Sequence, residues 1–296
     1  MATQRGPAPF IWIKIMTILS PFAHARSQPV DFLPLPALRS AQKPRRRGLT
    51  MMIDQGLPCA YIEDLVTTVG DYIDFAKIKS GTARLYPRSV LQRKIEIYKA
   101  HNIMPFIGGQ FHEYVLATEG AKATAQFYDE AKRLGFAAIE ISDNVVPLTD
   151  QERRDHIRAA CDSGLVVFGE VGGKDRRSEP DELLSQARIC LAAGARLVLV
   201  EAAELLVEGK PDRQMLSAIY RGLDPEQVMI ELPGPWIPGV RSCDIEVLKK
   251  LLVTEFGPVV NIANVSFDTV LDLEATRNGL GVAGPFSARQ LLEWAK

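Results

Sequence analysis

The chain has 296 residues, 47% hydrophobic and 24% charged, the balance of an ordinary globular protein with enough length to bury a core without a disulfide or metal staple. Thirty-five basic residues against thirty-six acidic ones give a formal net charge of −1, which argues against a chain-wide electrostatic grip on nucleic acid or an anionic membrane. Cys59, Cys161, Cys190 and Cys243 form no C-x-x-C pair, so they read as the reduced, packed thiols of a cytoplasmic protein rather than as zinc ligands.

Residues 1–47 differ from the rest. Phe10 to Phe22 is an apolar run broken by Lys14 and Pro21, with Ala23-His24-Ala25 behind it. It reads either as a secretory signal or as a disordered or wrongly started extension, and it is too short and broken to span a membrane. Pro29 to Pro44 is proline-rich and leads to Arg45-Arg46-Arg47, the composition of a solvated linker. Residues 1–47 are therefore expected to be a disordered or loosely attached extension, and residues 48–296 the folded domain.

From Leu49 onward, short apolar runs alternate with longer amphipathic stretches. The runs start at Leu49, Asp71, Met104, Ala137, Val166, Arg196, Val228 and Val259, at spacings of 22, 33, 33, 29, 30, 32 and 31 residues. Runs of this kind predict buried parallel strands, with room for one helix between each pair. Thr149-Asp150-Gln151-Glu152 predicts a capped helix start, and Gly164 and Gly194 predict helix ends. Eight such units predict a single-domain α/β fold, a (β/α)8 TIM barrel. A doubly wound sheet is the alternative, but no G-x-G-x-x-G follows the first run.

Barrel enzymes place their chemistry at the C-terminal ends of the strands. Runs four to seven carry Glu140, Glu170, Glu201 and Glu231 in nearly one register, in AAIE, VFGE, VLVE and VMIE. Asp54 and Asp143 end runs one and four, Lys77 ends run two, Lys174 lies just past run five, and Asn261 and Asn264 lie on run eight. Several buried carboxylates need cations to compensate them, and an all-oxygen set favours Mg2+ over zinc or copper. Gly108-Gly109 and Gly172-Gly173 are turns at which backbone N–H groups can approach an anion, and Arg277 follows run eight, where barrels often hold phosphate. Among the histidines only His112 is placed to reach the mouth.

These residues resemble the phosphosulfolactate synthases of coenzyme M biosynthesis. The resemblance covers roughly residues 31–281. It rests on Arg47-Gly48-Leu49-Thr50 leading to Asp54, Gly70-Asp71-Tyr72-Ile73-Asp74-Phe75 with Lys77, and Gly108-Gly109 with Glu113-Tyr114. Further matches are Glu140-Ile141-Ser142-Asp143, Glu170-Val171-Gly172 with Lys174, Glu201, Asn261, Ala263-Asn264, and Leu273-Glu274 with Arg277. The resemblance implies a Mg2+-dependent lyase that adds sulfite to phosphoenolpyruvate to give 2-phospho-3-sulfolactate. On this reading Lys174, Lys77 and Glu140 are catalytic, with Lys174 the proton donor. Glu170, Glu201, Glu231 and Asp54 bind metal, and Gly108, Gly109, Asn264 and Arg277 bind substrate. The partners are then small anions, with no nucleic acid or membrane, and a homo-oligomer is left open.

The family's strand-two loop usually reads K-F-G-W-G-T, where this chain has Lys77-Ile78-Lys79-Ser80-Gly81-Thr82. Its other departures remove cations: Ala203 stands for an arginine, and Asn278 and Gly281 stand in an arginine-rich ending. Two alternatives stay open. One is a related barrel lyase or aldolase acting on another phosphorylated acid, and the other is a non-catalytic member, since the family includes plant heat-stress proteins.

Overall fold

A computed structural model describes residues 29–30, 32, 39–173, 177–207, 210–234, 237 and 239–281. The apolar run at Phe10–Phe22 with the segment behind it lies outside them. The chain divides after residue 35, and the barrel belongs to the unit 36–296.

Eight parallel strands close into a barrel: β1 (Thr50–Asp54), β2 (Phe75–Ile78), β3 (Met104–Ile107), β4 (Ala138–Ile141), β5 (Val166–Val171), β6 (Leu197–Val200), β9 (Val228–Glu231) and β10 (Ile262–Ser266). The order around the barrel is β1-β10-β9-β6-β5-β4-β3-β2. A two-stranded hairpin, β7 (Leu206–Val207) and β8 (Lys210–Pro211), follows β6. The (β/α)8 architecture is the one the spacing predicts. Strand two is shorter than its apolar run, because Gly70–Tyr72 winds into a 3-10 turn before it.

The helices are α1 (Cys59–Val69), α2 (Arg88–Ala100), α3 (Gly109–Glu119), α4 (Ala121–Leu134), α5 (Asp150–Asp162), α6 (Pro180–Ala193), α7 (Arg213–Gly222), α8 (Ser242–Phe256) and α9 (Val270–Arg277). The start of α5 is the capping box read from sequence: Thr149 Oγ1 accepts from the Glu152 N–H, and Glu152 reaches back to the Thr149 N–H. Gly135 and Gly194 end α4 and α6 in the left-handed conformation that glycine adopts without strain. Among the described residues no helix is long and apolar enough to cross a membrane.

Strand alternation sorts the side chains into two cores. The larger lies between sheet and helices. The smaller fills the barrel, with Leu49, Met51, Phe75, Phe106, Ala138, Phe168, Leu199 and Met229 among its members. Phe168 packs edge-on against Phe75 and Phe106, with ring centroids 5.0 and 4.9 Å away.

The N-terminal end of the barrel is held by charge. Arg39 donates to the Gly48 carbonyl at 2.7 Å and to Glu274 at 2.7 Å, while Arg45 pairs with Asp74 at 2.8 Å. Asp74 also accepts from the Thr50 N–H. Residues 39–47, grouped by composition with a loose extension, are thus tied to the barrel, because Asp74 is buried at the strand starts and needs these cations.

Period-two alternation also places Asp54. Met51 belongs to the barrel interior and Met52 to the outer core, so Asp54 points outward. There it meets Lys94 of α2 at 2.9 Å and the Tyr98 hydroxyl at 2.9 Å, and it accepts the Gly56 and Leu57 N–H groups. Lys94→Met leaves this carboxylate buried without its cation. The expected loss is about 3–5 kcal/mol of unfolding free energy in a urea titration, and a loss under about 1 kcal/mol would show the pair to be structurally idle.

Candidate active site

The barrel interior ends at its C-terminal face in a layer of ionisable groups. Phe75, Ala138, Phe168, Leu199 and Met229 point inward, so Lys77, Glu140, Glu170, Glu201 and Glu231, each two residues further on, point inward one layer higher. All five are buried. They line a cavity of about 250 Å³ together with Ile53, Lys79, Ser80, Gly108, Gly109, Gln110 and Asn264.

Lys77 is the pivot. Its Nζ lies 2.8 Å from Glu140 and 3.1 Å from Glu231. Burial opposes its charge, but Glu140, Glu231 and Glu170 outweigh it and hold the ammonium well above its ordinary pKa. Burial and the neighbouring carboxylates push Glu140 far up despite Lys77, and they push Glu231 up to about 8. One ammonium therefore faces four carboxylates in a buried layer, and protons make up the difference when no other cation does.

One ligand atom each from Glu170, Glu201 and Glu231 lies within 4.8 Å of the others. Three hard oxygen donors with surplus negative charge fit a small divalent cation such as Mg2+. The surroundings orient them. Asn144 donates to Glu170 at 2.8 Å, and Arg153 of α5 reaches the Glu170 carbonyl at 3.0 Å while pairing with Asp143. Glu113 accepts the Val146 N–H at 2.9 Å and the Ser142 hydroxyl, fixing the loop after β4. Glu204 accepts from the Gly173 and Ser178 N–H groups, both at 2.8 Å, and so fixes both ends of the loop after β5.

The remaining sequence-predicted residues fare differently. Asn264 reaches the cavity through a β-bulge: its backbone has φ +55°, the register against β1 shifts there, and Oδ1 is buried without a hydrogen-bond partner. Lys174 lies outside the described residues. Asp54 is not with the other acids, because it faces α2. Arg277 is at the opposite end of the barrel, where it donates to the Val260 carbonyl at 2.7 Å and to that of Pro258. It ends α9, and the helix returns it to the strand starts. Gly108 and Gly109 line the mouth, but their N–H groups are already bonded to the Ile78 carbonyl and to Glu140. A Cβ on Gly109 would lie 2.1 Å from Ser142 Oγ and 2.8 Å from Glu140, so glycine here makes room for the acid layer. His112 is fully buried against Tyr128 at 3.0 Å, and burial takes it down to about 3. Ser80 and Gln110 line the mouth without having been singled out. The available signal was their position, just past the ends of β2 and β3.

The family profile of (2R)-phospho-3-sulfolactate synthase (ComA) matches residues 39–282. The phosphosulfolactate synthase of Methanocaldococcus jannaschii is 34% identical over 246 residues, covering 79% of this chain and 92% of that one. The protein HEAT-STRESS-ASSOCIATED 32 of Arabidopsis thaliana is 25% identical over 268 residues, covering 80% of this chain and 87% of that one. The carboxyl transferase domain of Rhizobium etli pyruvate carboxylase superposes with a TM-score of 0.56 at 12% identity. It covers 85% of this chain and 47% of that one, a likeness of fold alone.

Glu231 has an ordinary carboxylate pKa of 4.5 when unfolded and one of about 8 when folded. Between these values the unfolded chain has released a proton that the folded chain keeps, so folding stability falls as pH rises. Lys77 stays charged in both states across this window. In scanning calorimetry with chelator, the melting temperature is expected to fall between pH 5 and about pH 8, and added Mg2+ is expected to raise it more at pH 8 than at pH 6. A melting temperature rising with pH would contradict the buried-acid account.

Proposed function

Since this chain belongs to the (2R)-phospho-3-sulfolactate synthase family, we propose that it catalyses the Mg2+-assisted addition of sulfite to phosphoenolpyruvate, giving 2-phospho-3-sulfolactate. The observation that carries the reading is the buried layer in which Lys77, flanked by Glu140 and Glu231, adjoins the three-carboxylate cluster of Glu170, Glu201 and Glu231.

The sulfite lone pair attacks the methylene carbon, and a C–S bond forms. The double-bond pair moves to the carbon bearing phosphate and delocalises into the carboxylate, and a proton then closes the sequence at that carbon. Glu170, Glu201 and Glu231 would hold the Mg2+, which when bound supplies positive charge for the enediolate-like transition state. Lys77 provides a second, fixed positive charge on the same layer, and Glu140 holds its ammonium in place. Asn264 offers its side-chain amide to the substrate. Lys174 is the proton donor implied by the family resemblance, and Glu204 secures the loop ends on either side of it through Gly173 and Ser178. The four cysteines are free, consistent with the cytoplasm as the site of action.

The similarity to a heat-stress-associated plant protein leaves a second, non-catalytic reading open. The buried ionisable layer favours catalysis, because a merely structural barrel gains nothing from burying four carboxylates.

Incubation with phosphoenolpyruvate, sulfite and Mg2+, followed by ³¹P NMR, is expected to give a new organophosphate signal that needs both sulfite and metal. Unchanged phosphoenolpyruvate in folded protein would contradict the assignment. Glu170→Gln and Glu201→Gln are each expected to lower turnover by about 100-fold or more without lowering the melting temperature. Parallel loss of activity and stability would make these acids structural.

A further inference from the structure

We propose that Asn264 Oδ1 is a further oxygen ligand for the divalent cation of the carboxylate cluster, joining Glu170, Glu201 and Glu231. The inference deepens the proposed function and rests on its metal.

Strand β10 departs from regular alternation to place this residue. Ile262 and Val265 both face the outer core, while Ala263 faces the barrel interior. Strict period two would send Asn264 outward and Val265 inward. Between the pairs Thr50–Ile262 and Met52–Val265, β10 instead carries one residue more than β1. The extra residue is taken up at Asn264, whose backbone is left-handed at φ +55° and whose side chain lines the cavity. A Cβ disfavours that backbone, although asparagine tolerates it better than most residues. A local strain is thus kept at the point where it aims an amide into the mouth.

The protein itself does not use that amide. Asn264 is 8% exposed, and its Oδ1 is enclosed without a hydrogen-bond partner. Lys77 directs its ammonium to Glu140 and Glu231 instead. A buried amide oxygen is an acceptor, so it needs a donor hydrogen or a cation. Phosphoenolpyruvate and sulfite in their ionised forms carry only acceptors, and neither satisfies it. A cation does.

Position on the sheet joins Asn264 to the cluster. Ala263 pairs with Glu231, and the Leu232 N–H donates to the Ala263 carbonyl at 3.0 Å. Asn264 therefore follows the β10 residue that lies beside Glu231, and both side chains line the one cavity. Magnesium prefers six oxygen ligands, so three carboxylates leave room for a neutral donor. Neutrality matters here, because four buried carboxylates already surround Lys77 and a fifth would add its own desolvation penalty. An amide supplies a hard oxygen without the charge, and its nitrogen stays available to the substrate.

Mn2+ titration of the full-length chain, without substrate and followed by electron paramagnetic resonance, tests the proposal. Asn264→Gly removes the amide and suits the left-handed backbone, while Asn264→Asp keeps an oxygen in the same place. Asn264→Gly is expected to weaken Mn2+ binding by about tenfold or more without lowering the melting temperature of the metal-free chain, and Asn264→Asp to retain binding. Wild-type affinity in Asn264→Gly would overturn the ligand and leave the three-carboxylate site and the reaction standing. Equal weakening in both variants would also overturn it, since the retained oxygen would then make no difference. No Mn2+ on the wild-type chain would overturn the ligand and the metal together. Sulfite-dependent turnover of phosphoenolpyruvate is read separately: the expected Mn2+ pattern without turnover sinks the reaction and leaves the ligand in place.

Discussion

The site depends on one constraint: four carboxylates are buried around a single ammonium. Lys77 lies within 3.1 Å of Glu140 and Glu231, and burial leaves their surplus negative charge poorly solvated. Desolvating an ion is unfavourable by several kcal/mol, so the layer persists only if protons or a cation neutralise it. That need makes the layer a receptor for positive charge. With a divalent cation bound, as the proposed function requires, the layer would suit a reaction in which negative charge develops on the substrate.

The rest of the molecule divides between building this layer and holding it. The aromatic floor of Phe75, Phe106 and Phe168 fills the barrel below the acids. Glu113, Arg153 and Glu204 do not reach the cavity lining, yet each ties down a loop that follows β4 or β5. At the other end the charge logic reverses. There Arg39, Arg45 and Arg277 gather on Asp74, Glu274 and the carbonyls of the strand starts. Burial lowers Arg277 to about 9, which marks it as a group enclosed by structure rather than presented to a ligand. Ion pairs hold the base of the barrel, and the proposed function places the chemistry at its mouth.

The barrel and the acid layer were legible in the sequence because both are periodic. Spacings of about 30 residues located the strands, and Ala138–Glu140, Phe168–Glu170, Leu199–Glu201 and Met229–Glu231 repeat one inward apolar-to-acid step. Asp54 shows how the same periodicity misleads when register is ignored, since one residue of offset from Ile53 sends it to the helix side. The inward turn of Asn264 depends on a bulge, and a bulge leaves no mark in residue order. The placement of Arg277 depends on where a helix ends in space. The glycine pair after β3 was visible, but its role was not. Only the packing of Ser142 and Glu140 shows that Gly109 makes room for side chains. Ser80 and Gln110 are ordinary residues in sequence, and only the strand ends bring them to the same rim.

The most direct test of the acid layer as a cation site is a Mn2+ titration followed by electron paramagnetic resonance. The account predicts one tightly held Mn2+ per chain, lost when Glu170 and Glu201 are both replaced by glutamine in a chain that still melts cooperatively. Absence of bound Mn2+ in the wild-type chain, or binding unchanged by the double substitution, would contradict it.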